Sequence, residues 1–162
     1  MLAVSAAVVL ALVALAAYGV WRLHEYGNEM RSAENGHDLV WVVDAHLAQH
    51  PEDRDARFGT LTDRWLELRG EDRRWLIGRA VPDSGYGILD AASGEVLDAW
   101  GRPIRLALRG RADGGTDVRA SSDGADGSPG TADDLVRDNT FFPVTRPTTA
   151  ATTRPASSSS VP

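Results

Sequence analysis

The chain opens with an apolar segment, residues 1–21, that contains no charged side chain. About 20 helical residues are enough to cross the hydrocarbon core of a membrane, so the pattern predicts a transmembrane helix over residues 1–21. A cleaved signal peptide is the alternative, because Ala14-Leu15-Ala16 resembles a cleavage site. The length of the run and its lack of a basic start favour the retained helix, with Tyr18 and Trp21 at the membrane interface.

The helical pattern continues beyond the apolar segment. Apolar and weakly polar residues recur every three or four positions at Leu23, Tyr26, Met30, Ala33, His37, Val40, Val43 and Leu47. This spacing predicts one helical face, and Pro51 should end the helix. Gly27 and Gly36 weaken it enough to predict a bend or break. We expect Val40, Val43 and Leu47 to face a sheet, and Asp38, Asp44 and Gln49 to face water.

The next segment alternates between turns and short helical patterns. Residues 51–59 are charged and typical of a turn, whereas Leu61, Trp65 and Leu68 predict one face of a short helix that ends at Gly70. Trp75, Leu76 and Ile77 predict another helical turn packed on the long helix. Residues 78–97 are rich in glycine and proline, so we expect a loop there.

Strand patterns begin after residue 103. Ile104, Leu106 and Leu108 alternate with polar or small residues, so residues 104–108 predict a half-buried strand. Gly114-Gly115 predicts a hairpin, with the return strand over residues 117–121. Apolar side chains then return to the core at Leu135, Val136, Phe141 and Phe142. The Thr/Ser/Pro-rich residues 143–162 predict a disordered tail, and the whole pattern predicts an α+β domain over residues 22–142.

Composition narrows the function classes. The net charge of −6 argues against nucleic-acid binding, and all 17 basic residues are arginine. Without lysine and cysteine, Schiff-base chemistry, thiol catalysis and disulfides are excluded. The histidines, His24, His37, His46 and His50, lack convincing metal-ligand spacing, so we expect packed or solvated helix positions. No nucleophile and base stand in a catalytic pattern, and we therefore expect neither an enzyme nor a small-molecule substrate.

The segment from Ser122 to Asp134 concentrates aspartate and glycine. Glycine and proline exclude a regular helix or strand here, and converging carboxylates repel one another unless a cation lies between them. A calcium ion, which takes six to eight oxygen ligands, is one interpretation, and a solvated Asp/Gly turn is the other. An EF-hand is excluded, because Ser122 and Gly124 stand where that loop needs acidic ligands.

Two sequence motifs, in this order along the chain, resemble motifs of a known protein family. Asp-Ala-Trp-Gly-Arg-Pro at residues 98–103 precedes the first strand, and Ser-x-Gly-x-Asp-Gly-x-x-Gly-Thr-x-Asp-Asp-Leu follows the hairpin from residue 122. The pair resembles the C-terminal domain of the major pseudopilin of type II secretion systems, with Ala99 in place of the family's first proline. The resemblance implies a pilin-like fold, calcium as cofactor and four candidate ligands: Ser122, Asp126, Asp133 and Asp134. Of these, Asp126 and at least one of Asp133 and Asp134 should bind through side-chain oxygens, with Asp123 facing solvent.

The resemblance also implies a location and partners. It predicts a single-pass protein of the bacterial inner membrane, with its C-terminal domain in the periplasm and other pilin-like subunits bound through the N-terminal helix. The family's peptidase motif does not appear before Ala3, and no glutamate precedes Glu25. Arg22, just after the apolar run, opposes an external C-terminal domain by the positive-inside rule. Two functions follow: a structural subunit in protein secretion, or a membrane-anchored, calcium-stabilised binding module outside any filament.

Overall fold

The computed structural model describes residues 2–84 and 89–139, with side chains at residues 8–82 and 89–139. Three helices and four strands follow in the order α1 Leu2–Gln49, α2 Pro51–Phe58, β1 Leu66–Leu68, α3 Gly70–Ser84, β2 Arg105–Gly110, β3 Thr116–Ser122 and β4 Leu135–Asp138. The strands form one antiparallel sheet in the order β1-β2-β3-β4. The predicted α+β class is confirmed.

Helix α1 is continuous over 48 residues. It has no break at Gly27 or Gly36, so of the bend or break predicted there, the break is absent from the described helix. Its N-terminal part is long and apolar enough to cross a membrane, and within the described residues none of this apolar stretch is buried. The helix ends before Pro51, as predicted, because proline restricts the preceding residue and instead starts α2. The predicted turn over residues 51–59 is wrong.

The face of α1 that packs on the domain is apolar near the C-terminal end of the helix and polar or small nearer its N-terminal end. Val40, Val43 and Leu47 are buried as predicted. Toward the N-terminus the predicted apolar face is wrong, since Leu23, Tyr26 and Met30 are exposed. Polar or small residues are buried there instead: Asn28, Ser32 and Gly36. Ser32 can be buried because its Oγ accepts a hydrogen bond of 2.9 Å from the Ala99 amide in the loop before β2, and Asn28 bonds to His24 one turn earlier.

The polar face predicted for the C-terminal half of α1 is only partly correct. Gln49 is exposed, whereas Asp38 is only part-exposed. Asp44 is half-buried and its Oδ1 accepts a hydrogen bond of 2.8 Å from Asn139 Nδ2, just beyond β4. The assignment of Asp44 to a solvent-facing position is therefore wrong, because a partner distant in sequence satisfies its carboxylate.

The two central strands match their predicted positions. Leu106 and Leu108 of β2 are fully buried, as is Val118 of β3, so these alternating residues face the helices and form the core. The turn between them is closed by the Arg111 amide, which donates to the Gly115 carbonyl at 3.0 Å, and Gly114 has a φ of 81°. A glycine is needed there because other residues rarely adopt that backbone conformation.

The first edge strand was not predicted. Leu66 and Leu68 pair with Leu108 and Leu106 in β1, so the helix predicted from residue 61 to 70 is wrong. Gly110 approaches the backbone of Leu61 so closely that a Cβ at position 110 would collide with the Leu61 carbonyl. Gly70 begins α3 instead of ending a helix. A three-residue strand gives too little periodicity to be distinguished from a helical turn.

Helix α3 packs on α1 as predicted, and Leu76 and Ile77 are fully buried. It runs on to Ser84, so the start of the loop predicted over residues 78–97 is helical. Arg73 of α3 makes a bidentate ion pair of 2.9 Å with buried Glu95.

Leu135 is part-buried, but Val136 is exposed, so Val136 does not return to the core. Phe141, Phe142 and the predicted tail lie outside the described residues.

Candidate metal centre

The Asp/Gly-rich loop joins the end of β3 at Ser122 to the start of β4 at Leu135. These two residues are register partners, so the loop leaves and re-enters the sheet at adjacent positions. Gly124, Gly127 and Gly130 all have positive φ values, between 61° and 87°. A side chain at Gly124 would collide with Asp133, which explains why this position needs glycine. The backbone thus turns repeatedly within a short segment and brings distant loop carboxylates together.

Three of the predicted ligands converge on the hydroxyl of Thr131. Its Oγ1 lies 3.3 Å from Asp126 Oδ1, 2.7 Å from Asp133 Oδ1 and 3.3 Å from Asp134 Oδ1. The Ser128 carbonyl oxygen is 3.0 Å away. A hydroxyl has one hydrogen to donate, so it can serve only one of these acceptors at a time. The remaining oxygens form a negatively charged cluster.

Asp133 is held by more than the Thr131 hydroxyl. Its Oδ2 accepts a hydrogen bond of 3.1 Å from the Asp126 amide. The Thr131 hydroxyl and then the Asp126 amide lower the pKa of the Asp133 carboxyl below its ordinary value, because both bonds favour the charged form. The neighbouring carboxylates have similar local donors: Asp126 Oδ1 accepts from the Ser128 amide, and Asp134 Oδ2 accepts from the Gly130 amide, each at 2.7 Å.

Two arginines bring positive charge to the loop from the sheet side. Arg105 Nη2 lies 2.5 Å from Asp123 Oδ1 and 3.6 Å from Asp134 Oδ2. The expectation that Asp123 faces solvent is therefore wrong: its side chain is only 25% exposed and forms an ion pair with a β2 residue. The second arginine, Arg102, donates to the carbonyl oxygens of Gly124 at 2.5 Å and Ala125 at 2.9 Å.

Ser122 differs from the other three predicted ligands. It is buried, and its Oγ donates to Asp98 Oδ2 at 2.8 Å, so its hydroxyl does not join the cluster around Thr131. Asp98 is buried as well, and its Oδ1 accepts from the amides of Trp100 and Arg102 at 3.0 and 2.9 Å. The turn containing residues 98–103 is thereby joined to the loop entrance. Residue spacing alone gave no signal for these bonds, although both partners lie in the two motifs quoted from the sequence.

The loop has the donor atoms of a hard cation site. Within residues 2–84 and 89–139, no group of three or more His, Asp or Glu side chains is arranged to hold a metal ion as it stands. The oxygens around Thr131 are nevertheless carboxylate, hydroxyl and carbonyl oxygens, the ligand types that calcium takes. The donor chemistry at Asp126, Asp133 and Asp134 therefore fits calcium.

The histidines lie away from this loop. His46 is buried in α1, and its Nε2 is 3.0 Å from Asp53 Oδ2, which in turn lies 3.3 Å from an Arg79 nitrogen. His50 is exposed and pairs with Glu52. The pairing of His46 with Asp53 joins α1 to α2, which is a packed helix position of the kind expected from the sequence.

Comparison with protein-family models, curated proteins and solved structures gives no match to this chain.

Proposed function

We propose that the chain is a pseudopilin-like structural subunit of a type II or related protein-secretion system. In this proposal α1 anchors it in the bacterial inner membrane as a single span, and the sheet domain lies in the periplasm. The observation that carries the proposal is the continuity of α1. The same uninterrupted helix is apolar enough to cross a membrane at one end and forms the core with the sheet at the other.

The membrane-proximal part of α1 supports contacts with other pilin-like subunits. Leu23, Tyr26 and Met30 are 74%, 62% and 47% exposed, and Trp41 farther along is 52% exposed. Leu23, Tyr26 and Met30 share a helical face, and they continue the apolar stretch beyond the membrane segment. Exposed apolar surface of this extent is typical of an interaction site, and the helices of neighbouring subunits are the proposed partners.

Calcium is the proposed cofactor of the β3–β4 loop. Asp126, Asp133 and Asp134 would hold the ion through carboxylate oxygens, and Ser122, whose hydroxyl donates to Asp98, would contribute its carbonyl or a hydroxyl lone pair. When bound, the ion supplies positive charge that offsets the repulsion among the carboxylates. Because it would bind the folded loop and not the unfolded chain, it would stabilise the domain by mass action.

Thermal unfolding in detergent, with calcium or with a chelator, tests the metal proposal. Saturating calcium at a hundredfold excess over Kd should stabilise the full chain by roughly 2.7 kcal/mol. Asp126→Asn should abolish most of that gain, whereas Asp63→Asn, at an exposed position outside the loop, should keep it. Magnesium should substitute poorly, because it gives up water reluctantly. A melting temperature that is indifferent to the chelator in the parent would exclude the site.

Site-directed crosslinking separates the structural subunit from the second candidate, a membrane-anchored binding module outside any filament. The chain has no cysteine, so Tyr26→Cys and Ser128→Cys each introduce a single thiol. A subunit that packs through α1 should form crosslinks at position 26 in native membranes and none at exposed position 128. Membrane retention without crosslinks at position 26, with co-expressed pilin-like proteins present, would favour the binding module.

A further inference from the structure

Arg102 lies between the turn at residues 98–103 and the candidate metal loop, and it forms hydrogen bonds with both. The turn at residues 98–103 positions it, since the Arg102 amide donates to buried Asp98 and the Asp98 amide donates to the Arg102 carbonyl at 2.8 Å. Its guanidinium then reaches across to the loop and donates to two successive carbonyls, those of Gly124 and Ala125. The side chain thus connects a rigid turn to the backbone of the loop.

Gly127 makes room for this guanidinium. A Cβ at position 127 would lie 2.7 Å from Arg102 Cζ, and the φ of Gly127 is 70°. The positive φ requires glycine at position 127, and the missing side chain leaves room for the guanidinium where it lies. The loop backbone is shaped around the Arg102 side chain as well as around its own carboxylates.

One of the peptide groups that Arg102 holds is held from the opposite end by Asp133. The Ala125 carbonyl accepts from Arg102 Nη2, and the amide of the same peptide group, on Asp126, donates to Asp133 Oδ2. The carbonyl of the preceding peptide group, on Gly124, also accepts from Arg102. The peptide group between residues 125 and 126 therefore lies between a guanidinium and a carboxylate, an arrangement in which each hydrogen bond polarises the next.

We propose that Arg102 is a positioning residue that holds the peptide groups at residues 124–126, so that Asp126 and Asp133 stay gathered in the metal-free protein. The part of this proposal that concerns metal affinity rests on the proposed calcium site. Arg102 acts through the backbone and not as a ligand, because its guanidinium carries the same sign of charge as the ion. The two parallel donors also make lysine an incomplete replacement, since an ammonium group lacks the planar fork.

Amide hydrogen exchange of the full chain in detergent and chelator tests the positioning role directly. In Arg102→Gln, exchange at the Ala125 and Asp126 amides should accelerate about tenfold or more, because hydrogen bonds from a charged donor are lost. Arg102→Lys should fall between that variant and the parent. Arg137→Gln is the matched control, since Arg137 is an exposed arginine on β4 that donates to the adjacent Val136 carbonyl. It should stay within about twofold of the parent.

A calcium titration of the same proteins supplies a readout that a merely structural role would not move. Arg102→Gln should weaken calcium binding to the folded protein by about tenfold, with Arg137→Gln unchanged. Failure of the parent to bind calcium would overturn the metal site while the exchange rates still decide the role of Arg102. Unchanged loop exchange in Arg102→Gln would overturn the positioning role whether or not calcium binds. If Arg102→Gln does not fold, parent-like exchange in Arg102→Lys would overturn it.

Discussion

Asn139 joins three elements through one side chain. Its Nδ2 donates to Asp44 Oδ1 on α1 and to the Thr116 carbonyl on β3, at 2.8 and 3.3 Å. Its Oδ1 accepts from the Val118 amide at 2.9 Å. This side chain continues the pairing of β3 beyond the end of β4, and it donates a hydrogen bond to a half-buried carboxylate.

Asn139→Ala should therefore destabilise the fold. Loss of the bond to the Asp44 carboxylate, together with the bonds to the Thr116 carbonyl and from the Val118 amide, should lower the free energy of unfolding by roughly 1–3 kcal/mol. Urea denaturation of the full chain in detergent measures the change. Gln49→Ala, at an exposed position on α1, is the control and should change stability by less than about 0.5 kcal/mol. Equal stability of Asn139→Ala and the parent would mean that these bonds contribute nothing net.

The lowered pKa of Asp133 gives a pH dependence with a definite sign. The folded-state pKa lies below that of the unfolded chain, because the Thr131 hydroxyl and the Asp126 amide favour the carboxylate. The charged form thus stabilises the folded loop at every pH above the unfolded value of about 3.9. As the pH falls through the lower folded-state pKa, that contribution is lost.

The prediction is checked by comparing the parent with Asp133→Asn in chelator as the pH is lowered from 7. The stability difference should be constant at neutral pH and should shrink once the pH drops below about 4. NMR titration of the Asp133 carboxyl provides the second measurement, with its midpoint expected below the ordinary aspartate value. A midpoint above that value would contradict the hydrogen-bond pattern of the loop.

At the residue scale, sequence reasoning singled out Asp126, Asp133 and Asp134 in one short loop, and the structure brings all three carboxylates to Thr131; their role as metal ligands stays a prediction. Sequence reasoning failed at Asp123 and did not find the bond from the Ser122 hydroxyl, because their partners, Arg105 and Asp98, reach them only after the sheet has formed. Spacing along the chain contains no information about such contacts.

At the scale of elements, Val43 is the clearest test of how α1 packs. It is fully buried within the core that includes Leu39 and Leu106. Val43→Asp should cost at least about 3 kcal/mol, because it buries an unpaired charge. Gln49→Asp places the same charge on an exposed part of the helix and should cost below about 1 kcal/mol. Chemical denaturation in detergent compares the two, and similar losses would mean that the buried face is misassigned.

Elements with strong periodicity were predictable, and those fixed by tertiary pairing were not. The alternation in β2 and the glycine pair after it predicted the hairpin of β2 and β3, and α1 repeats every three or four residues. The three residues of β1 form a strand because β2 offers an edge to pair with. The membrane-proximal face of α1 was misassigned for a related reason: Ser32 and Asn35 face the domain because the Ala99 amide and Leu97 carbonyl bond to them.

At the scale of the whole molecule, the apolar segment and the sheet domain are separable. The described core begins well beyond residue 21, with its first apolar member at Leu39 and the buried polar residue Asn28 before it. Removal of residues 1–21 should therefore leave the fold intact while abolishing membrane association. Circular dichroism and liposome flotation of the truncated and full-length proteins measure the two effects. Binding of the truncated protein to uncharged vesicles would place the membrane contact in the domain instead.

The unbroken course of α1 has a rotational consequence. Successive residues of a helix are turned by a fixed angle about its axis, and no hinge at Gly27 or Gly36 interrupts that relation here. When one side of the sheet domain faces a neighbouring subunit, the helix therefore determines which side of the apolar segment faces in the same direction. If α1 spans a membrane, the orientation of the domain about the helix axis is therefore coupled to the orientation of the membrane-embedded residues.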